Sequence, residues 1–197
     1  MFTVSTGKTS YHHGNLRDAL VRTALALLEE SGVEALTLRA AARRAGVSAM
    51  APYRHFADKA ALLAAVAEQG YADLRDRLAR ADTAADPRQA LVEQGVAYVL
   101  FARERPALFR VMFGAPVTGL MPAAPSAEGA YATLAARVAG LVPADQRETA
   151  VVAAWALVHG LACLTVDGRL HRAGTAEPAL EELARQVAGL FAAGLPA

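Results

Sequence analysis

Cysteine is nearly absent from this 197-residue chain: Cys163 stands alone. No disulfide framework and no multi-cysteine metal site can form within one copy. Lysine is almost as scarce, with only Lys8 and Lys59 among twenty basic residues. Arginine is therefore the chain's default cation, and a lysine marks a place where a compact ammonium is wanted. The first fifteen residues hold no apolar run of the kind a signal peptide needs, so a reducing, cytoplasmic setting is expected. No strand-like alternation of any length occurs, which excludes a β architecture and leaves an all-α reading. Nor is there a nucleophile–base or carboxylate pair at a spacing that supports catalysis, and no catalytic residue is assigned. His12 and His13 are adjacent, and Asp167 with His171 offers at most two ligands, so neither a metal nor another cofactor is expected.

What is present is a folded chain, 54% hydrophobic and 20% charged with a net charge of +1. The near-neutral total conceals an asymmetry. Residues 1–60 carry eight basic and five acidic side chains, leaving the remainder mildly acidic. A basic amino-terminal module points to a polyanionic partner for that part only. Residues 150–166 run seventeen positions without Asp, Glu, Lys or Arg. The stretch is at the short edge of a membrane span, lacks a basic flank and contains Gly160, so a buried interface helix is expected instead.

Helical spacing recurs throughout. Asn15 is placed to cap a first helix carrying Leu16, Leu20, Ala24, Leu27 and Leu28, with Asp18 three residues on and Ser31-Gly32 as its stop. Thr37 caps a short second helix, whose Leu38, Ala41 and Ala45 share a face and which Gly46 ends. Ser48 is expected to cap a third helix over Ala49–Phe56, with Pro52 tolerated near its start. Asp58 caps a long fourth helix to about Ala81. Further helices are expected near 88–104, 107–113, 127–141, 144–166 and 177–194, and the proline- and glycine-rich stretch 114–126 as a mobile loop. The division into domains is set at 1–60 and 61–197.

Two short helices joined through Gly46-Val47 have the size and turn chemistry of a helix-turn-helix, which lays its second helix in the major groove of DNA. Around that second helix stand Ser48, Tyr53, His55 and Lys59, each able to donate to a phosphate oxygen. Phe56 is apolar and suited to anchor the segment to the core.

The stretch TLRAAARRAGVSAMAPYRHFADKAAL closely resembles the DNA-binding signature of the tetracycline-repressor (TetR) family, and the likeness extends over residues 16–63. By position, the resemblance implies that Thr37, Ser48, Tyr53, His55 and Lys59 hold the phosphate backbone. It implies that Arg39, Ala49, Met50 and Ala51 face the bases, with Arg54 a further candidate. The Ala-Met-Ala-Pro opening departs from the polar residues of many members. It can meet thymine methyl groups but makes no bidentate hydrogen bond, which shifts specificity toward Arg39, Arg54, the YHHG segment before helix 1, or DNA shape. YHHGNLR, RPALFRVMF and WALVHG resemble a subgroup of the family named for a Trp-His-Gly pattern in its carboxy-terminal domain.

In that domain Leu180, Leu183, Val187, Leu190 and Phe191 repeat at helical spacing, while Ala150, Ala153, Ala154, Ala156, Gly160 and Ala162 keep the preceding helix slim. Two such helices per chain suit a four-helix homodimer interface, and the resemblance implies the same. Phe101, Leu108, Phe109, Met112, Phe113, Trp155 and His159 are the candidate lining of an apolar small-molecule pocket, His159 being its polar handle. The expected function is a ligand-responsive repressor that binds a palindromic double-stranded operator as a homodimer, away from membranes. The alternatives are a ligand-independent DNA-binding regulator and, more remotely, a small helical enzyme.

Overall fold

Leu20, Ala24 and Leu28 recur one helical turn apart, and their burial holds the first helix against its neighbours. In the computed structural model, which describes residues 13–114, 129–170 and 180–196, that helix is α1, His13–Ala35. It starts at His13, two residues earlier than expected, so Asn15 falls within its first turn and not before it. Its regular path breaks at Gly32, whose φ of 77° and ψ of 175° belong to a region that only glycine enters freely. The remaining elements are α2 (Leu38–Arg44), a 3₁₀ turn (Ala51–Arg54), α3 (Lys59–Ala81), α4 (Pro87–Glu104), α5 (Pro106–Phe113), α6 (Ala130–Ala139), a 3₁₀ turn (Ala144–Gln146), α7 (Arg147–Val166) and α8 (Leu180–Ala193). Among the described residues there is no strand. The expected loop over 114–126 lies, apart from Gly114, outside the described residues.

Two compact units divide the chain after Val66, within α3 and six residues beyond the division expected from sequence. In the first, α2 packs on α1 and on the 3₁₀ turn. Its core is Leu20, Ala24, Leu28, Leu36, Leu38, Ala41, Ala42, Phe56, Leu62 and Val66.

In the second unit α4 is central, packed against α7 and α8 and also touching α5 and α6. One core cluster gathers Leu91, Val92, Val138, Val151, Ala154 and Ala188; another joins Val96 and Val99 to Leu161 and Ala184. Residues 144–166 are long and apolar enough to cross a membrane by composition alone. Here α7 packs against α4, α6 and α8 through Ala150, Val151, Ala154, Leu161 and Ala162. Only that side is buried within one chain. Val152, Leu157 and Leu164 remain exposed, together with Leu190 on α8, which is 78% exposed.

Candidate functional site

The turn between α2 and the following segment is fixed by backbone hydrogen bonds. Val47 N–H donates to Ala42 O at 3.0 Å and Gly46 N–H to Arg43 O at 3.2 Å, the double closure of a Schellman motif. Gly46 sits at φ 70°, a left-handed conformation that a side chain would strain. At the other end of α2, Thr37 Oγ1 accepts from Ala40 N–H at 3.0 Å and satisfies one of the helix's free donors.

The third helix differs from the expectation. Residues 51–54 form a 3₁₀ turn instead of an α-helix over Ala49–Phe56. Pro52 is the cause. It has no N–H to give to Ser48 O, so the Ser48 carbonyl accepts instead from Ala51 N–H, three residues on, at 3.0 Å. The residue before the turn is Met50, with no side-chain cap, so the expected capping role of Ser48 is not formed. Asp58 does cap α3, its Oδ1 accepting from Ala61 N–H at 2.8 Å.

Pro52 and Phe56 point inward, and Phe56 is 3% exposed with the Arg17 guanidinium 5.6 Å from its ring centroid. This pins the short segment by one side and turns its other residues out. Thr37, Arg39, Ser48, Ala49, Met50, Tyr53 and Arg54 are exposed, while Ala51, His55 and Lys59 are half-buried. Met50 reaches 70% exposure, unusual for a large apolar side chain with no neighbour to cover it. Lys59 is engaged within the unit: its Nζ donates to Val33 O at 2.6 Å, tying the start of α3 to the chain just after the break in α1. Arg44 forms a bidentate ion pair with Glu30, which removes it from the face's available charge.

The second unit holds a partly open cavity of about 440 Å³. Tyr71, Leu74 and Leu78 of α3, Gln94, Gly95 and Tyr98 of α4, Phe113 of α5, Tyr131 and Leu134 of α6, Val152, Trp155 and Val158 of α7, and Ala188 and Phe191 of α8 contribute to its wall. Of the seven residues expected to line a pocket, Phe113 and Trp155 do so. Phe101, Leu108, Phe109 and Met112 are instead packed into the core, each no more than 3% exposed. On α5 the most buried positions face the protein, and only the last aromatic reaches the cavity. His159 is also absent from the wall.

His159 is held behind the wall in a hydrogen-bonded chain. Its Nδ1 lies 2.8 Å from Tyr98 Oη and its Nε2 3.5 Å from Cys163 Sγ. The rings of Phe109, Phe113 and Trp155 surround it, with centroids 4.8 to 5.8 Å away. Burial pushes the imidazole below its ordinary pKa and both the Tyr98 phenol and the Cys163 thiol above theirs, the Asp167 charge adding to the last shift. All three groups are thereby held neutral near pH 7. A thiol kept protonated beside a neutral imidazole is not an activated nucleophile, so this chain of contacts orders the interior.

Gln94 is the most polar of the wall residues that sequence reading overlooked. It is 2% exposed, lines the cavity, and neither its Oε1 nor its Nε2 has a hydrogen-bond partner among the described residues. A polar residue between Glu93 and Gly95 on an amphipathic helix reads as solvent-facing, and nothing local in the sequence separates it from Glu93. Tyr71, by contrast, is accounted for, its hydroxyl donating to Met112 O at 2.6 Å.

Comparison with known proteins decides the family. Residues 20–66 match the family model described as bacterial regulatory proteins, tetR family, and residues 91–188 match a tetracyclin repressor-like C-terminal domain. The chain belongs to the tetR family. It is 54% identical over 52 residues to the tetracycline repressor protein class C of Escherichia coli, covering 26% of this chain and 24% of that protein. It is 39% identical over 119 residues to the class A repressor from transposon 1721, also from Escherichia coli, covering 59% and 51%. The chain thus spans between a quarter and about half of the length of these relatives. Among solved structures, a protein of unknown function from Rhodococcus sp. RHA1 superposes with a TM-score of 0.76 at 32% identity, covering 95% of this chain and 99% of that one. A TetR variant from Acinetobacter baumannii AYE, solved in complex with minocycline, shares the fold with a TM-score of 0.65 at 23% identity, covering 94% and 96%. Within a tetR-family chain, the outward face around Met50 and Tyr53 falls inside the matched amino-terminal segment, and most of the cavity wall falls inside the matched carboxy-terminal one.

Proposed function

We propose that this chain is a transcription regulator that binds duplex DNA through residues 37–59, a repressor released from a palindromic operator when a small molecule fills the cavity. The observation that carries the reading is the face itself: Pro52 and Phe56 are buried, while Thr37, Arg39, Ser48, Met50, Tyr53 and Arg54 stand out from the same short motif. In this reading Thr37, Ser48, Tyr53 and His55 donate to phosphates, and Arg39, Ala49, Met50, Ala51 and Arg54 approach base edges. Lys59 acts chiefly by fixing α3 to the end of α1, its remaining N–H groups contributing charge to the same surface. Met50 and the two alanines offer apolar contact to thymine methyl groups.

The proposed active species is a homodimer acting in the cytoplasm. The exposed Leu157, Leu164 and Leu190, with the small residues Ala153, Ala156 and Gly160, give α7 and α8 an apolar side that a second copy can cover. Two copies related by a two-fold axis supply the paired recognition segments that a palindrome requires. Release follows from differential affinity: a ligand that prefers a conformation with wrongly spaced recognition segments lowers operator affinity by its preference between states. Assignment to the Trp-His-Gly subgroup rests on Trp155, His159 and Gly160 and belongs to this proposal. Selection of bound sequences from random duplexes, repeated with a compound panel, tests it. The expected product is an inverted repeat whose capture some compound abolishes; enrichment of no sequence counts against the proposal.

A further inference from the structure

We infer that the cavity takes an uncharged, largely aromatic molecule carrying an adjacent hydrogen-bond donor and acceptor, as in a lactam or a carboxamide, and that Gln94 reads that pair. The inference rests on the ligand-responsive reading above and adds the chemistry of the effector to it. Three observations support it.

First, no Asp, Glu, Lys, Arg or His stands in the described wall, so a charged ligand would lose its hydration there with nothing to compensate. Second, six of the wall residues are aromatic, namely Tyr71, Tyr98, Phe113, Phe191, Tyr131 and Trp155, the last two edge to face at 5.9 Å. Flat rings fill such a space with favourable stacked or edge contacts. Third, the polar groups of the wall are unequally satisfied. Tyr71 donates to Met112 O and Tyr98 is paired with His159, whereas both amide atoms of Gln94 are buried without a partner among the described residues. An amide presents one acceptor and one donor side by side, so its complement is a donor beside an acceptor. A buried amide left open in the free protein is a cost to folding, recovered only when something binds it.

The test uses the full chain, wild type and Gln94→Leu, with three neutral probes of similar size: 2-quinolinone, which has N–H beside C=O; 1-methyl-2-quinolinone, which has only the acceptor; and naphthalene, which has neither. A fourth probe, 2-naphthoate, carries charge. Without ligand, Gln94→Leu is expected to melt higher than wild type by roughly 2–4 °C, because an open amide is replaced by a hydrocarbon of similar size. In wild type, 2-quinolinone is expected to bind on the order of 10- to 100-fold more tightly than naphthalene, with the N-methyl compound between them and naphthoate weakest. In Gln94→Leu the neutral probes should converge.

An unchanged or lowered melting temperature in Gln94→Leu would mean that the amide is satisfied in the free protein, and the inference fails. Equal preference in both proteins, tightest binding by naphthoate, or binding by none of the probes overturns it as well. Failure of the regulatory reading looks different. There, 2-quinolinone discriminates through Gln94 yet no compound ever changes DNA binding. Release of DNA by compounds that bind Gln94→Leu equally well would leave that reading standing and remove this one.

Discussion

Replacing Phe56 by alanine separates the anchoring of the recognition segment from its exposed face. Phe56 is 3% exposed, so truncation removes nearly the whole buried ring from the core of the first unit. Phe→Ala substitutions at such sites cost about 3–5 kcal/mol. Loss of the Arg17 contact at 5.6 Å adds about 0.5–1 kcal/mol. The unit that contains Phe56 ends at Val66, and domains are stabilised by roughly 0.05–0.15 kcal/mol per residue, which gives it on the order of 3–10 kcal/mol in all. One truncation therefore removes between a third of its stability and the whole. Thermal unfolding followed by circular dichroism should show helicity lost early, in an amount corresponding to α1 and α2, while the second unit, with its own core around α4, melts near its original temperature. Binding to duplex DNA should be lost at the temperature of that early transition. Tyr53→Ala is the control: Tyr53 is 45% exposed three residues away, so its removal should leave melting within about 0.5 kcal/mol of wild type and reduce DNA affinity. A Phe56→Ala protein with wild-type melting and wild-type DNA binding would refute the claim that Phe56 holds the segment in place.

Thr37→Ala removes the acceptor for Ala40 N–H and should destabilise the first unit by about 1 kcal/mol, whereas Thr37→Ser should restore most of it; chemical denaturation of the three proteins measures this. Gly46→Ala forces a side chain into the left-handed region at φ 70° and should cost about 1–2 kcal/mol in the same assay. Burial holds the His159 imidazole below its ordinary pKa, so the unfolded chain takes up its proton first as the pH falls. The stability that follows is fully present above about pH 6.5 and declines as acidification proceeds through the depressed native value. His159→Gln should accordingly show a smaller fall in melting temperature between pH 7.5 and pH 5; an identical fall in both proteins would argue against a neutral buried imidazole.

Much of the first unit was legible because its signals are local. The Thr37 cap, the Gly46 turn, the Asp58 cap and the inward Phe56 each depend on neighbours a few residues away, and each took the expected form. Pro52 is the exception: it removes one hydrogen bond, and in so short a segment that loss leaves residues 51–54 in 3₁₀ geometry, with a single i+4 bond from Phe56 N–H to Pro52 O at the end. The role of Lys59 was beyond local reading, since its partner Val33 lies 26 residues earlier. The cavity was harder still. Helical spacing places Leu108, Phe109 and Met112 on an apolar face but cannot say whether that face meets protein or empty space; Leu108 and Met112 lie against Gly70 of α3 and Phe109 against Tyr98 of α4, leaving the space nearer Tyr71, Gln94 and Trp155. Gln94 carried no signal at all, because burial of an amide is a property of the assembled helices.

The account depends most on the outward face of residues 37–59 binding a duplex. Equilibrium binding to a duplex over a range of salt concentrations, for wild type, Tyr53→Ala and Arg54→Ala, measures that directly. Wild-type affinity should fall steeply with salt; Tyr53→Ala, which loses a neutral donor, should weaken binding at an unchanged slope, whereas Arg54→Ala, which loses an exposed charge, should also reduce the logarithmic salt slope by about one. No binding to any duplex at low salt, or wild-type affinity and slope in both variants, would contradict the assignment.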